Sequence, residues 1–134
     1  MRNTAADDRD YYFTDAVTDR ATGFIDEAAQ TKKPFFLYLA YTAPHWPLHA
    51  RPEDIARYRG KYQGGWDALR AARHRRQLEL GIVDPGWPIA ARERGVPDWD
   101  KLNAAERDQW DRVMAVYAAM IDRMDQGIGR VMET

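Results

Sequence analysis

Residues 34–52, Pro34-Phe35-Phe36-Leu37-Tyr38-Leu39-Ala40-Tyr41-Thr42-Ala43-Pro44-His45-Trp46-Pro47-Leu48-His49-Ala50-Arg51-Pro52, decide the fold. From Phe35 to Tyr41 the run is apolar without period-2 alternation. A strand covered on both faces reads this way, as in a parallel or mixed sheet between helices. A buried helix would also be apolar, but the run is short for one, and Pro34 and Pro44 bound it closely. Directly behind it, Pro44-His45-Trp46-Pro47 stiffens a loop that carries an imidazole and an indole. In open α/β sheets ligands sit just beyond the carboxyl ends of strands, so this loop is where chemistry is expected. The expected fold class is therefore α/β, with one clear buried strand over 35–41.

Upstream, Val17, Ala21, Phe24, Ile25 and Ala28 share one face of a helix expected over about 15–29, with Thr14 as its N-cap. Residues 1–11 read as a polar, acidic lead-in, unlike a signal peptide. Downstream, Pro52 opens a short helical turn with Glu53 and Asp54 near its positive end. Trp66 to Leu80 reads as a helix stopped at Gly81. Residues 82–100, rich in Pro and Gly, read as an irregular excursion, pinned to the body by Trp87 and Trp99.

Asn103-Ala104-Ala105-Glu106 has the form of a capping box, and from Trp110 to Met132 apolar residues keep a 3.6-residue period. The long helix expected over 104–132 would span about 43 Å. Asp108 and Arg112 make an i, i+4 pair on its other face. One core strand cannot form a sheet alone. Either short strands lie near Tyr11–Phe13 and Ile82–Val83, or the partner strands lie outside this sequence; the second is the expectation.

The 134 residues suffice for one domain, and 45% hydrophobic with 31% charged residues is a globular balance. A net charge of -1 gives no overall pull toward nucleic acid or membrane, and no apolar run approaches a membrane span. There is no cysteine and no serine, which removes disulfides, thiolate metal sites and the Ser-His-Asp and Cys-His nucleophile classes.

His45 is the first candidate for chemistry. Held between prolines, it can donate an N–H to an anionic oxygen or move a proton near neutral pH; the bland alternative is a histidine satisfying loop carbonyls. Trp46 either lines a substrate entrance or packs. His45 and His49 have i, i+4 spacing, but Pro47 between them rules out the helix that a zinc pair needs, and no metal ligand is assigned. Asp122 and Asp125, three apart on the long helix, read as structural.

Between residues 51 and 76, eight basic residues stand against Glu53, Asp54 and Asp67. The bland reading is a solvated face paired with acids elsewhere. The alternatives are steering of an anionic substrate or binding of nucleic acid, and no interleaved aromatics support the last.

The order of three segments carries a resemblance. They are Tyr12-Phe13-Thr14-Asp15-Ala16-Val17-Thr18-Asp19, then Thr42-Ala43-Pro44-His45-Trp46-Pro47-Leu48, then Tyr117 to Gly129. Together they resemble the sulfatase family, the formylglycine- and calcium-dependent arylsulfatases of the alkaline-phosphatase-like superfamily. The resemblance covers nearly the whole chain and implies that residues 1–134 are an internal part of a single sulfatase catalytic domain.

The implied reaction cleaves a small-molecule sulfate ester to an alcohol or phenol plus sulfate. By the same resemblance His45 is catalytic and contacts the sulfate; Trp46 beside it is taken as a substrate-binding candidate from its own aromatic chemistry. The formylglycine arises from Cys or Ser in C/S-x-P-x-R, which this chain lacks. The Ca2+ ligands of the family, an Asp pair and an Asp-Asn pair, do not appear in it either. Both cofactors, and the strands to pair with 35–41, are expected from the rest of the domain, and the isolated chain is expected to be inactive. Rival readings are a phosphonate or phosphate ester hydrolase of the same superfamily, and a non-catalytic polyanion-binding module.

Overall fold

A computed structural model describes residues 10–134. Most of the polar lead-in read over 1–11 lies outside the described residues. The elements are α1 (Phe13–Thr31), α2 (Pro52–Tyr58), α3 (Trp66–Glu79), a 3-10 turn (Trp99–Lys101) and α4 (Ala104–Glu133).

The capping box fixes where α4 begins. The Asn103 side chain accepts from the Glu106 N–H at 3.0 Å, and the Glu106 carboxylate accepts from the Asn103 N–H at 2.8 Å. Two otherwise orphaned donors are thereby satisfied. The face that α4 buries is not the centre of its large apolar stripe. It is Asp111, Ala115, Ala119, Met120 and Gly127. Small residues let other helices approach closely, and α1 and α2 both pack on α4. Ala50, Ala119 and Met120 form the centre of the small core, with Leu48, Ile55 and Val116 against them.

α1 starts two residues earlier than the sequence suggests. Tyr12 stands at its N-cap, without a side-chain cap bond. Thr14 is instead buried, and Thr18 Oγ1 donates to the Thr14 carbonyl at 3.0 Å. Pro52 does open α2, and Gly81, at φ 67°, follows the last turn of α3. α3 buries none of its residues. It is held by its first turn, where Trp66 meets Trp99 edge-on at a centroid separation of 4.8 Å. Trp99 is buried as expected, but Trp87 is 64% exposed and does not pin the 82–98 stretch. That stretch is attached by polar ties: the Trp87 carbonyl lies 3.3 Å from His74 Nε2, and Arg70 donates to the Ala90 carbonyl at 2.8 Å.

The α/β expectation is corrected here: the described residues contain no strand, and the architecture is helical. Residues 34–41 belong to no regular element and are unpaired. Leu37 and Leu39 are half-buried beside α1, whereas Phe36 and Tyr38 are 91% and 81% exposed. An apolar run supplies the side chains of a buried strand, but a strand also needs a neighbour for its N–H and C=O groups. The two places where a partner strand was conceivable do not provide one. Phe13 enters α1, and Ile82 lies in the turn that ends α3, its N–H donating to Gln77 O at 2.9 Å.

Candidate functional site

The loop after the 34–41 segment is held at both ends. Before it, the hydroxyls of Tyr41 and Thr18 hydrogen-bond at 2.8 Å, tying the segment to α1. After it, the Tyr12 hydroxyl donates to the His49 carbonyl at 2.8 Å, and the two rings lie 5.4 Å apart. Within it, the His45 N–H donates to the Thr42 carbonyl at 2.9 Å, and the peptide bonds before Pro44 and Pro47 are both cis. The loop thus presents His45 and Trp46 from a braced turn.

Both side chains are exposed, Trp46 to 70%. They line an open cavity of about 770 Å3, together with Tyr12, Tyr41, His49 and Met120. His45 Nδ1 is 2.8 Å from the Trp46 carbonyl. A carbonyl only accepts, so Nδ1 is the donor. Nε2 is then the ring nitrogen left for a ligand. The bland reading of His45 is thus satisfied at one nitrogen only.

Beneath the loop lies a carboxylate–guanidinium network. Asp15 of α1 accepts from Arg51 Nε at 3.0 Å and from Arg123 Nε and Nη2 of α4 at 2.7 and 2.9 Å. The hydrogen bond from Arg123, aided by that from Arg51, holds the Asp15 carboxyl below its ordinary range against the opposing effect of partial burial. Arg51 also donates to the Asp10 carbonyl at 2.9 Å. Asp54, fully buried on α2, faces Arg57 at 3.5 Å and Arg123 at 3.6 Å. Arg57 reaches on to Asp122 at 3.2 Å. Asp122 is thus tied both to α2 through Arg57 and within its own helix to Gln126, whose side-chain amide donates to it at 3.0 Å, in keeping with the structural reading of its place on the helix.

A second buried carboxylate, Asp111, receives the N–H groups of Gly60 and Tyr62 at 2.8 and 2.9 Å, and the Arg59 guanidinium. It closes the turn after α2. The sequence reading passed over Asp111, and named Tyr12 and Asp15 without the partners they have here. The available signal for Asp111 was its position four residues before Ala115 and eight before Ala119, on the small-residue face of α4.

The basic 51–76 region divides. Arg51, Arg57, Arg59 and Arg76 are paired with acids, while Arg73 and Arg75 have no partner among the described residues. The three histidines do not converge, and no group of three or more His, Asp or Glu among the described residues is placed to hold a metal ion. The described residues therefore do not fit the family's Ca2+. No helix among them is long and apolar enough to cross a membrane.

Comparison with known proteins matches the sequence to a family. The family model described as Sulfatase matches residues 2–134. An uncharacterized sulfatase of Schizosaccharomyces pombe is 40% identical over 116 residues, covering 84% of this chain and 21% of that protein. An arylsulfatase of Klebsiella aerogenes is 37% identical over 125 residues, covering 93% of this chain and 26% of that protein. The chain thus spans about a fifth to a quarter of the length of these relatives. With the match running through the His45 loop and all four helices, the chain belongs to the sulfatase family.

Proposed function

We propose that this chain is part of an arylsulfatase-type sulfuric ester hydrolase. The reaction is R–O–SO3⁻ plus water giving R–OH plus hydrogen sulfate. His45 contacts the sulfate oxygens, and Trp46 flanks the organic group. The observation that carries this reading is the hydrogen bond from His45 Nδ1 to the Trp46 carbonyl, which leaves Nε2 for the open, aromatic-lined cavity. As an imidazolium, Nε2–H donates to an anionic ester oxygen and stabilises charge that develops there; as the neutral ring it accepts a proton. Family membership and the likeness to an arylsulfatase support the ester class.

A formylglycine would supply the nucleophile and Ca2+ would hold the sulfate. This chain has no Cys or Ser from which the aldehyde could be made. In this reading both groups come from further sulfatase-domain sequence. What this chain's own residues do is bind and orient: the Tyr41–Thr18 and Tyr12–His49 ties fix the loop, and the loop aims His45.

The test uses 4-nitrophenyl sulfate. The 134-residue chain binds it without turning it over, and His45→Ala weakens binding about tenfold, the scale of one hydrogen bond to a charged group. Unchanged affinity in His45→Ala sinks the role of His45. Turnover by the unmodified chain, abolished in His45→Ala, sinks the view that the site is incomplete.

A further inference from the structure

We propose that the cavity between α3, α4 and residues 95–99 binds a small aromatic anion, at a site separate from the His45 loop. The two cavities share no lining residue. This one has a volume of about 410 Å3, within the range of small-molecule sites. Its walls are aromatic and apolar. Trp66 meets Trp99 and Trp110 edge-to-face at 4.8 and 5.9 Å between centroids, and Met114 lies beside them. A flat ring entering here meets ring faces and a polarisable thioether, both of which favour aromatic guests.

The cavity is held open by ties that do not pass through it. Arg92 bridges Asp67, in the first turn of α3, to Asp98, next to Trp99. Lys101 adds a second contact to Asp98 at 2.6 Å. Gly65 leaves no room for a Cβ against the Trp99 ring, so the indole lies directly on the backbone. The walls are therefore preformed rather than collapsed.

Charge selects the class of guest. The ionised side chains that line the cavity are Arg70 and Arg73, one helical turn apart on α3, and no carboxylate lines it. Arg70 is engaged with the Ala90 carbonyl at 2.8 Å. Arg73 is exposed and has no ion pair or hydrogen bond among the described residues. A cationic guest would be repelled, and a neutral one would leave Arg73 unused. An aromatic ring with one anionic group uses both the walls and the charge.

The experiment is calorimetric titration of the chain with naphthalene-2-sulfonate at low salt. It is done on His45→Ala protein, so that the proposed sulfate contact does not contribute. The expected result is saturable one-site binding. Arg73→Glu, a surface change that leaves the fold intact, weakens it about fivefold or more, the scale of losing an exposed ion pair. Raising the salt to about 0.5 M weakens it too, because screening acts on exposed charges. Neutral 2-naphthol binds more weakly than the sulfonate. The absence of saturable binding overturns the proposal. So does unchanged affinity in Arg73→Glu, which would place the probe elsewhere. So does 2-naphthol binding as tightly as the sulfonate, which would remove the anion from the specificity.

Discussion

Gly127 and Gly129 lie two residues apart on α4, yet the same substitution acts on them with opposite sign. A Cβ at Gly127 would overlap Thr18 Oγ1 and come within 2.9 Å of the Tyr41 hydroxyl. Those two atoms form the bond that ties the 34–41 segment to α1. Gly127→Ala must push α1 from α4 or break that bond, and is expected to cost about 1–3 kcal/mol. At Gly129 a Cβ meets nothing within 4 Å. There Ala removes only the entropic penalty of glycine in a helix, and Gly129→Ala is expected to stabilise by about 0.5–1 kcal/mol. Urea denaturation of both variants checks the pair. Equal shifts would mean that α1 does not approach α4 through Gly127. Neither sign is readable from the sequence, where both glycines simply interrupt a helical pattern.

At the scale of elements, the helices are joined by carboxylates as much as by apolar contact. Asp111 joins α4 to the turn after α2 through two backbone N–H groups and Arg59. Asp111→Ala strands those donors at a buried position and is expected to cost about 2–4 kcal/mol, read as a drop in urea midpoint. Asp15 joins α1 to α4 and to the loop at Arg51. Its folded pKa lies below its unfolded value. The stability it adds is therefore fully present above the unfolded value of about 3.9, and is lost as pH falls through the lower folded value. Wild type should be more stable than Asp15→Asn at pH 7, and thermal melts should show the gap closing on acidification below about pH 4. A gap independent of pH would show that the Asp15 charge is not what joins the helices.

These carboxylates also mark what the sequence could convey. The capping box at Asn103, the Pro52 start, the Gly81 stop and the Asp108–Arg112 pair, at 2.6 Å, are local rules, and the residues that state them also carry them out. The His45 loop was legible for the same reason, since its prolines lie beside the imidazole. Asp15 and Asp111 find their partners 36 to 108 residues away, and Asp54 reaches Arg123 as well as the nearby Arg57; apart from the spacing of Asp111 to Ala115 and Ala119, little local distinguishes them from solvated acids. Of the apolar stripe of α4, Met120 is buried together with Asp111, Ala115, Ala119 and Gly127. Periodicity weights large residues, whereas close packing between helices also selects small ones, here two alanines and a glycine.

At the scale of the whole molecule, the run that reads most strongly as core is the most open. Phe36 and Tyr38 stand in solvent, and no backbone hydrogen bond joins residues 34–41 to another segment among the described residues. An apolar segment with unpaired backbone groups is a template for another strand. Its exposed side belongs with the large apolar surfaces that monomers rarely leave uncovered. The chain by itself should therefore self-associate through 35–41, and light scattering should show an average mass that rises with concentration. Phe36→Lys with Tyr38→Lys places charges at two strongly exposed positions and keeps Leu37 and Leu39, which are half-buried beside α1. The double variant should remain monomeric at concentrations where the parent does not, with its melting temperature within about 2 °C of the parent's, since surface changes away from contacts are nearly neutral. A parent chain that stays monomeric at high concentration would show that these residues are covered in solution. A double variant that melts much lower would show the same thing by a different route: that Phe36 and Tyr38 already have an intramolecular partner.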